Sequence, residues 1–294
     1  MTWCLAADIG GTKLASALVD ERGCLRARHQ RPTPGEADPE QLLEAVVTLV
    51  EEAASEAPAG AEIEVCGVGC GGPMSPGGDA VSPLNIPAWR GFPLRSRLSG
   101  ATGLPTFVDN DAKALALAEG WLGAAAGRRD YLAMVVSTGV GGGIVVDGRL
   151  LDGRAGNAGH IGHVIVVPGG SPCRCGGTGC LEAEASGPAI ARRTGRPPEL
   201  APLEEVGRAG CLVGRGIASV ANLLDLDLAV VGGSVALGFG APFFDAAQSE
   251  VEKLCRLDHS RGTRVVPLGL GADGPLVGAA AVGWRGLGRW AGGR

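Results

Sequence analysis

The sequence is poor in aromatic residues and in long apolar runs. Phe, Trp and Tyr make up 4% of 294 residues, with a single Tyr. A core with so few rings must be packed from Ala, Val and Leu, and 51 Gly allow many tight turns and close backbone approaches. No stretch reaches the roughly 18 consecutive apolar residues of a membrane-spanning helix, so no membrane association is expected. No basic leader with a cleavage site precedes the first apolar run, so no secretory signal is expected and the location expected is cytoplasmic. Basic residues are outnumbered, 26 Lys and Arg against 31 Asp and Glu, for a net charge of -5. Neutralising a phosphate backbone needs a concentrated basic surface, so nucleic acid is not expected as a partner. Nine Cys is an odd number. Of these, Cys4, Cys24, Cys66 and Cys70 read as small core residues on strands. The length suits two domains of ordinary size.

Apolar runs alternate with Gly-rich breaks. Residues 3–7 form a strand that stops at Asp8-Ile9-Gly10-Gly11-Thr12-Lys13, and 14–19 and 24–28 read as further strands around a turn at 20–23. Asp38-Pro39-Glu40-Gln41 starts a helix, with Asp as N-cap, Pro in the first turn and Gln placed for a capping box. Leu42, Leu43, Val46, Leu49 and Val50 continue it at helical spacing, ending before Pro58. Residues 63–68 and 106–108 read as strands, separated by a Gly/Pro-rich loop at 69–78 and an irregular segment at 83–93. A helix follows at 112–120. The pattern then restarts: an apolar run at 132–136, a Gly-rich break at 137–143, apolar residues 144–146 and a hairpin turn at Asp147-Gly148. Strand, polar Gly turn and strand thus occur twice, which predicts two related halves facing one another. Further on, 213–224 has a helical pattern, 228–231 is a strand ending in Gly232-Gly233-Ser234, and 275–283 is a closing helix. The expected domains are 1–117 and 118–294, with the last helix able to pack back on the first domain.

Three motifs carry chemistry. His163 with Cys173, Cys175 and Cys180 supplies one imidazole and three thiolates, the donor set of a tetrahedral Zn²⁺. A Cys-x-Cys hook on a Gly-rich loop can wrap one ion, and this spacing in a cytosolic chain favours a metal over a disulfide. His160 and Glu182 flank these ligands. In the turn at 8–13, Gly10 and Gly11 let backbone N–H groups approach phosphate oxygens. Thr12 adds a hydroxyl, Lys13 a charge, and Asp8 is a candidate ligand for Mg²⁺. The pattern is neither a P-loop nor a dinucleotide fingerprint. Ser137-Thr138-Gly139-Val140-Gly141-Gly142-Gly143 repeats this chemistry without the acid and suits a second stretch of a polyphosphate. Asp109-Asn110-Asp111-Ala112 lies between a strand and a helix. Asp111 is the candidate general base and Asn110 a partner for substrate hydroxyls, with either Asp109 or Asn110 free to serve as helix N-cap. A carboxylate of ordinary pKa suffices when the alcohol proton leaves late in a loose phosphoryl transfer. The small-residue clusters Gly232-Gly233-Ser234 and Gly278-Ala279-Ala280-Ala281 suit equally the face of an adenine or close helix packing.

Together these residues resemble the ROK family of repressors, open reading frames and kinases, within the superfamily of sugar kinases, Hsp70 and actin. The likeness runs from Asp8 through Gly278. It implies an α/β fold of two ribonuclease-H-like domains, of the actin, hexokinase and Hsp70 type, flanking a cleft. It implies transfer of the γ-phosphoryl group of ATP to a sugar hydroxyl, usually O6, with Asp111 catalytic and with Mg²⁺ and a structural Zn²⁺ as further cofactors. By the same resemblance the nucleotide is held by Asp8, Gly10, Gly11, Thr12, Lys13, Ser137, Thr138, Gly139, Gly232 and Gly233. The sugar is held by Gly72, Asn110, Asp111, His160, His163 and Glu182. His163 binds zinc through one ring nitrogen and faces the sugar with the other. A homodimer or homotetramer is implied.

Glucokinases of the family usually carry Glu-x-Gly-His where this chain has His160-Ile161-Gly162-His163. Glu accepts hydrogen bonds from sugar hydroxyls, whereas a neutral His can also donate one, for instance to an amide carbonyl. The run 158–163 is similar to that of bacterial N-acetylmannosamine kinases, which implies N-acetyl-D-mannosamine ahead of glucose or another sugar or cyclitol. The family's repressors carry a winged helix-turn-helix before the sugar domain. With Asp8 on the first strand of this chain, a repressor is not expected, and a non-catalytic sugar binder would have no use for the base and both phosphate turns.

Overall fold

One order of chain is used twice to build two five-stranded sheets. In the first, β1 (Thr2–Ile9), β2 (Lys13–Asp20) and β3 (Leu25–Pro32) form an antiparallel meander. β4 (Glu62–Cys70) and β5 (Thr106–Asn110) add in parallel beyond β1, giving the order β3-β2-β1-β4-β5. In the second, β6 (Tyr131–Val136), β7 (Val140–Val146) and β8 (Arg149–Leu150) are the meander. β9 (Leu228–Gly232) and β10 (Arg264–Pro267) are the parallel pair, in the order β10-β9-β6-β7-β8. The computed structural model describes residues 1–35 and 37–289.

Helices cover the sheets. α1 (Pro39–Ser55) and α2 (Leu94–Thr102) belong to the first lobe, α3 (Asp111–Leu122) to the junction. α4 (Leu181–Ala185), α5 (Gly187–Thr194), α6 (Leu203–Leu224), α7 (Ser234–Phe239) and α8 (Ala241–Leu254) belong to the second lobe, and α9 (Gly274–Gly286) returns to the first sheet. α1 starts with the cap its sequence calls for. Asp38 accepts from the N–H groups of Glu40 and Gln41 at 2.9 Å, and Gln41 Oε1 accepts from the N–H of Asp38 at 3.0 Å. Such a cap stabilises a helix by about 1 kcal/mol. The apolar stripe Leu42, Leu43, Val46, Leu49 and Val50 is buried in the first core.

Two helices of small residues position the cleft. α9 lies on the face of the first sheet opposite α1 and against α3. A Cβ on Gly278 would fall 2.5 Å from Ala114 O, and one on Gly67 of β4 2.0 Å from Ala279 O. The small residues at 278–281 therefore serve close packing. α3 touches both sheets. Its approach to β7 requires glycine, because a Cβ on Gly143 would lie 2.6 Å from Ala116 Cβ and 2.8 Å from Lys113 Cα. The boundary drawn between 117 and 118 falls inside this helix.

Several elements differ from the sequence reading. Gly141, Gly142 and Gly143 are strand residues of β7, so the second turn is confined to 137–139. α6 begins at Leu203 rather than near 213, and α2, α4, α5, α7, α8 and β10 were not foreseen. Cys4, Cys66 and Cys70 are buried on strands, but Cys24 is exposed in the turn before β3. Among the described residues no helix is long and apolar enough to cross a membrane.

Candidate active site

A cleft of about 500 Å³ opens between the lobes, walled by the ends of β1, β5, β6 and β7 and by loops from both sides. The two turns face it. β1 and β2 pair as far as Ile9 and Leu14, and the Gly10 N–H donates to Lys13 O at 3.0 Å, leaving 10–12 as the tip. Thr33 braces the tip from behind, donating from Oγ1 to Gly10 O at 2.7 Å. A Cβ on Gly11 would sit 2.7 Å from both Asn85 Cβ and Asn85 O, so only glycine lets this tip touch the 83–86 loop. In the second turn the Ser137 N–H donates to Gly139 O at 2.9 Å. Glu182 Oε2 accepts from the Val140 N–H at 3.0 Å, which holds its carboxylate against the turn. Ser137 Oγ lies 2.8 Å from Ser234 Oγ, bringing the end of β9 alongside. Gly232 and Gly233 stand behind this turn rather than on the cleft wall. At Gly233, φ is +93° and a Cβ would meet Val136 O at 2.3 Å.

β5 ends at Asn110, whose side chain caps α3 by accepting from the N–H groups of Ala112 and Lys113 at 3.1 and 3.4 Å. Asn110, not Asp109, is thus the cap. Asp111 is the first residue of α3 and is exposed on the cleft wall. Desolvation pushes its carboxyl above the usual range, opposed by the Ala112 N–H and by His160. Asp8, at the end of β1, is pushed up to about 7, first by burial and then by the charge of Asp111, with Lys13 opposing. Gly72 keeps a space open where two side chains converge: a Cβ there would lie 3.3 Å from Asn110 Nδ2 and 3.7 Å from His160 Nε2. Burial, then the neighbouring His163, lowers the pKa of His160, so its ring is neutral near pH 7.

Beyond this space lies the His/Cys group. The donor atoms of His163, Cys173, Cys175 and Cys180 lie within 4.8 Å of one another. His163 Nδ1 is 3.7 Å from Cys173 Sγ, and Cys175 Sγ is 3.7 Å from Cys180 Sγ. Zinc–sulfur bonds of about 2.3 Å set tetrahedral edges of about 3.8 Å, so the residues fit such an ion. The loop carrying them needs its glycines, since a Cβ on Gly179 (φ +72°) would lie 1.7 Å from Val167 O. Buried Glu184 fixes the loop's base by accepting from the Ser171 N–H and from Arg208, both at 2.6 Å. His163 and Cys173 line the cleft; Cys175 and Cys180 lie behind.

The cleft wall also includes residues that the sequence reading did not single out. Pro83, Leu84, Asn85 and Ile86 form one side, and Pro188, Arg174 and Arg192 the other. Arg174 lies between two of the cysteines, so the hook itself was a signal for it. Nothing in the local pattern marks Arg192.

Two such lobes about a cleft are those of a sugar kinase of the actin and hexokinase type. The chain belongs to the ROK family, whose family model matches residues 4–284. It is 40% identical over 253 residues to the N-acetylmannosamine kinase of Escherichia fergusonii, covering 80% of this chain and 84% of that one. The ROK hexokinase of Thermus thermophilus shares its structure with a TM-score of 0.84 at 35% identity, over 97% of this chain and 99% of that one. The ROK family glucokinase of Streptomyces griseus, in complex with glucose and AMPPNP, matches with a TM-score of 0.83 at 30% identity, over 96% and 99% of the two chains.

Proposed function

We propose that this ROK-family kinase transfers the γ-phosphoryl group of ATP to O6 of N-acetyl-D-mannosamine, with Asp111 as the general base. The observation that carries the reading is the position of Asp111 on the cleft wall beside both Gly turns, with Asn110 and His160 converging over Gly72. The N–H groups of Gly11, Thr12, Thr138 and Gly139 at the tips of the two turns, with Thr12, Ser137 and Thr138 hydroxyls and Lys13, hold the phosphate chain. The adenosine end lies toward Gly232 and Gly233. Asp8 is placed to hold Mg²⁺, which when bound neutralises charge on the transferring phosphates. Asn110 and Glu182 orient the sugar hydroxyls, and Asp111 accepts the O6 proton as the oxygen meets phosphorus. His163, Cys173, Cys175 and Cys180 hold a structural Zn²⁺ that stiffens the loop beside the sugar.

Neutral His160 donates to the acetamido carbonyl, where a glutamate would favour a 2-hydroxyl. Similarity to the Escherichia fergusonii enzyme supports the same sugar. Steady-state kinetics with ATP across a panel of hexoses tests the reading. It predicts the highest kcat/KM for N-acetyl-D-mannosamine; a much higher value for glucose would refute the substrate assignment.

A further inference from the structure

Residues 151–160 leave the second sheet after β8 and are tied back to the first lobe at two points. The first is Lys113, which is 2% exposed. An ammonium has three N–H donors. Here they meet Asp109 Oδ1 at 2.8 Å, Asp152 Oδ1 at 2.8 Å and Gly156 O at 3.2 Å. The other oxygen of Asp152 accepts from Arg285 of α9 at 2.7 Å, and Arg285 also stands 3.5 Å from Asp109 Oδ2. Two cations and two anions thus join β5, α3, α9 and the 151–160 segment. The second tie is Asn157, which accepts from the Met74 N–H at 3.1 Å and donates to Met74 O at 2.9 Å. Met74 is two residues past Gly72. The segment then presses on β7, where a Cβ on Gly159 would lie 2.3 Å from Gly142 O, and the next residue is His160.

A buried ammonium is tolerated only while every donor is met, so this cluster admits few arrangements whatever its net effect on stability. Lys113 also stands two residues from Asp111 on the same helix, so the base and the segment share one anchor. We infer that residues 151–160 form a strap between the lobes, and that Lys113, Asp152 and Asn157 are positioning residues that set where His160 stands against Asn110 and Asp111. The inference rests on the reading of His160 as a sugar contact.

Steady-state kinetics, with sugar and ATP varied separately, tests it on Asp152→Asn, Asn157→Ala, His160→Ala and the Asp152→Asn/His160→Ala double variant. Asp152→Asn and Asn157→Ala are each expected to raise the KM for N-acetyl-D-mannosamine about tenfold or more. The KM for ATP should stay within about twofold. The double variant should bind sugar no worse than His160→Ala alone, because the strap acts through that residue. Asn157→Ala leaves the ion cluster intact, so the test survives a failure of Asp152→Asn to fold. Equal shifts in both KM values, or effects that multiply in the double variant, would overturn the strap while leaving His160 as a sugar contact. A silent His160→Ala would instead overturn that contact, and the strap's role with it.

Discussion

Asp8 and Asp111 both border Gly69: a Cβ on Gly69 would lie 3.7 Å from Asp8 Oδ1 and 3.7 Å from Asp111 Cα. Desolvation raises both carboxyls, and the charge of Asp111 raises Asp8 further. The unfolded chain releases the Asp8 proton near 3.8, whereas the folded chain keeps it to about 7. Between these values the folded state binds more protons, so this residue's contribution to stability falls as pH rises through that window. In metal-free protein, Asp8→Asn should therefore raise the urea midpoint relative to wild type more at pH 8 than at pH 4. An equal difference at both pH values would contradict the account.

The same pair predicts the pH dependence of turnover. Asp111 must be ionised to accept a proton, so kcat/KM should fall on the acid side through a pKa above the ordinary carboxylate value of about 3.9. Protonation of Asp8 below about pH 7 weakens its hold on Mg²⁺, so the Mg²⁺ concentration for half-maximal rate should rise as pH falls from 8 to 6. A requirement that does not change over this range would remove Asp8 from the metal site.

Gly143→Ala probes the seat of α3, which carries the proposed base. The added methyl would meet Ala116 Cβ at 2.6 Å and Lys113 Cα at 2.8 Å, forcing α3 off β7. Overpacking of this kind costs about 1–3 kcal/mol. Because α3 carries Asp111, kcat should fall as well as the melting temperature. A loss of stability with kcat unchanged would show that the helix position is not critical to the chemistry.

The His/Cys group makes a prediction about metal. Protein purified without added zinc should contain stoichiometric Zn²⁺, and Cys180→Ser should lose it. The variant should melt lower and show a raised sugar KM with little change for ATP, because His163 lines the cleft and is proposed above to face the sugar. Full sugar affinity in zinc-free protein would refute the link between loop and substrate.

What the sequence showed plainly was whatever is decided within a few residues. The capping box at Asp38, the two strand–turn–strand units and the His/Cys spacing are local, and the structure has all three, with the second turn shorter than the 137–143 read from the sequence. Glycine in regular elements was misread. Gly141 to Gly143 look like a turn, yet they form a strand because α3 lies too close for side chains. α6 runs from Leu203, ten residues before the helical pattern read at 213–224, and its Gly210 and Gly214 let it pack on α8: a Cβ on either would lie 2.4 Å from a carbonyl of α8. Leu84, Asn85 and Arg192 reach the cleft only through tertiary packing, which no local pattern carries.

The central claim is most directly tested by kcat for Asp111→Asn with ATP and N-acetyl-D-mannosamine, alongside its melting temperature and ATP affinity. The account predicts a fall of about 10²- to 10⁴-fold in kcat with melting and nucleotide binding close to wild type. Turnover at the wild-type rate would contradict it.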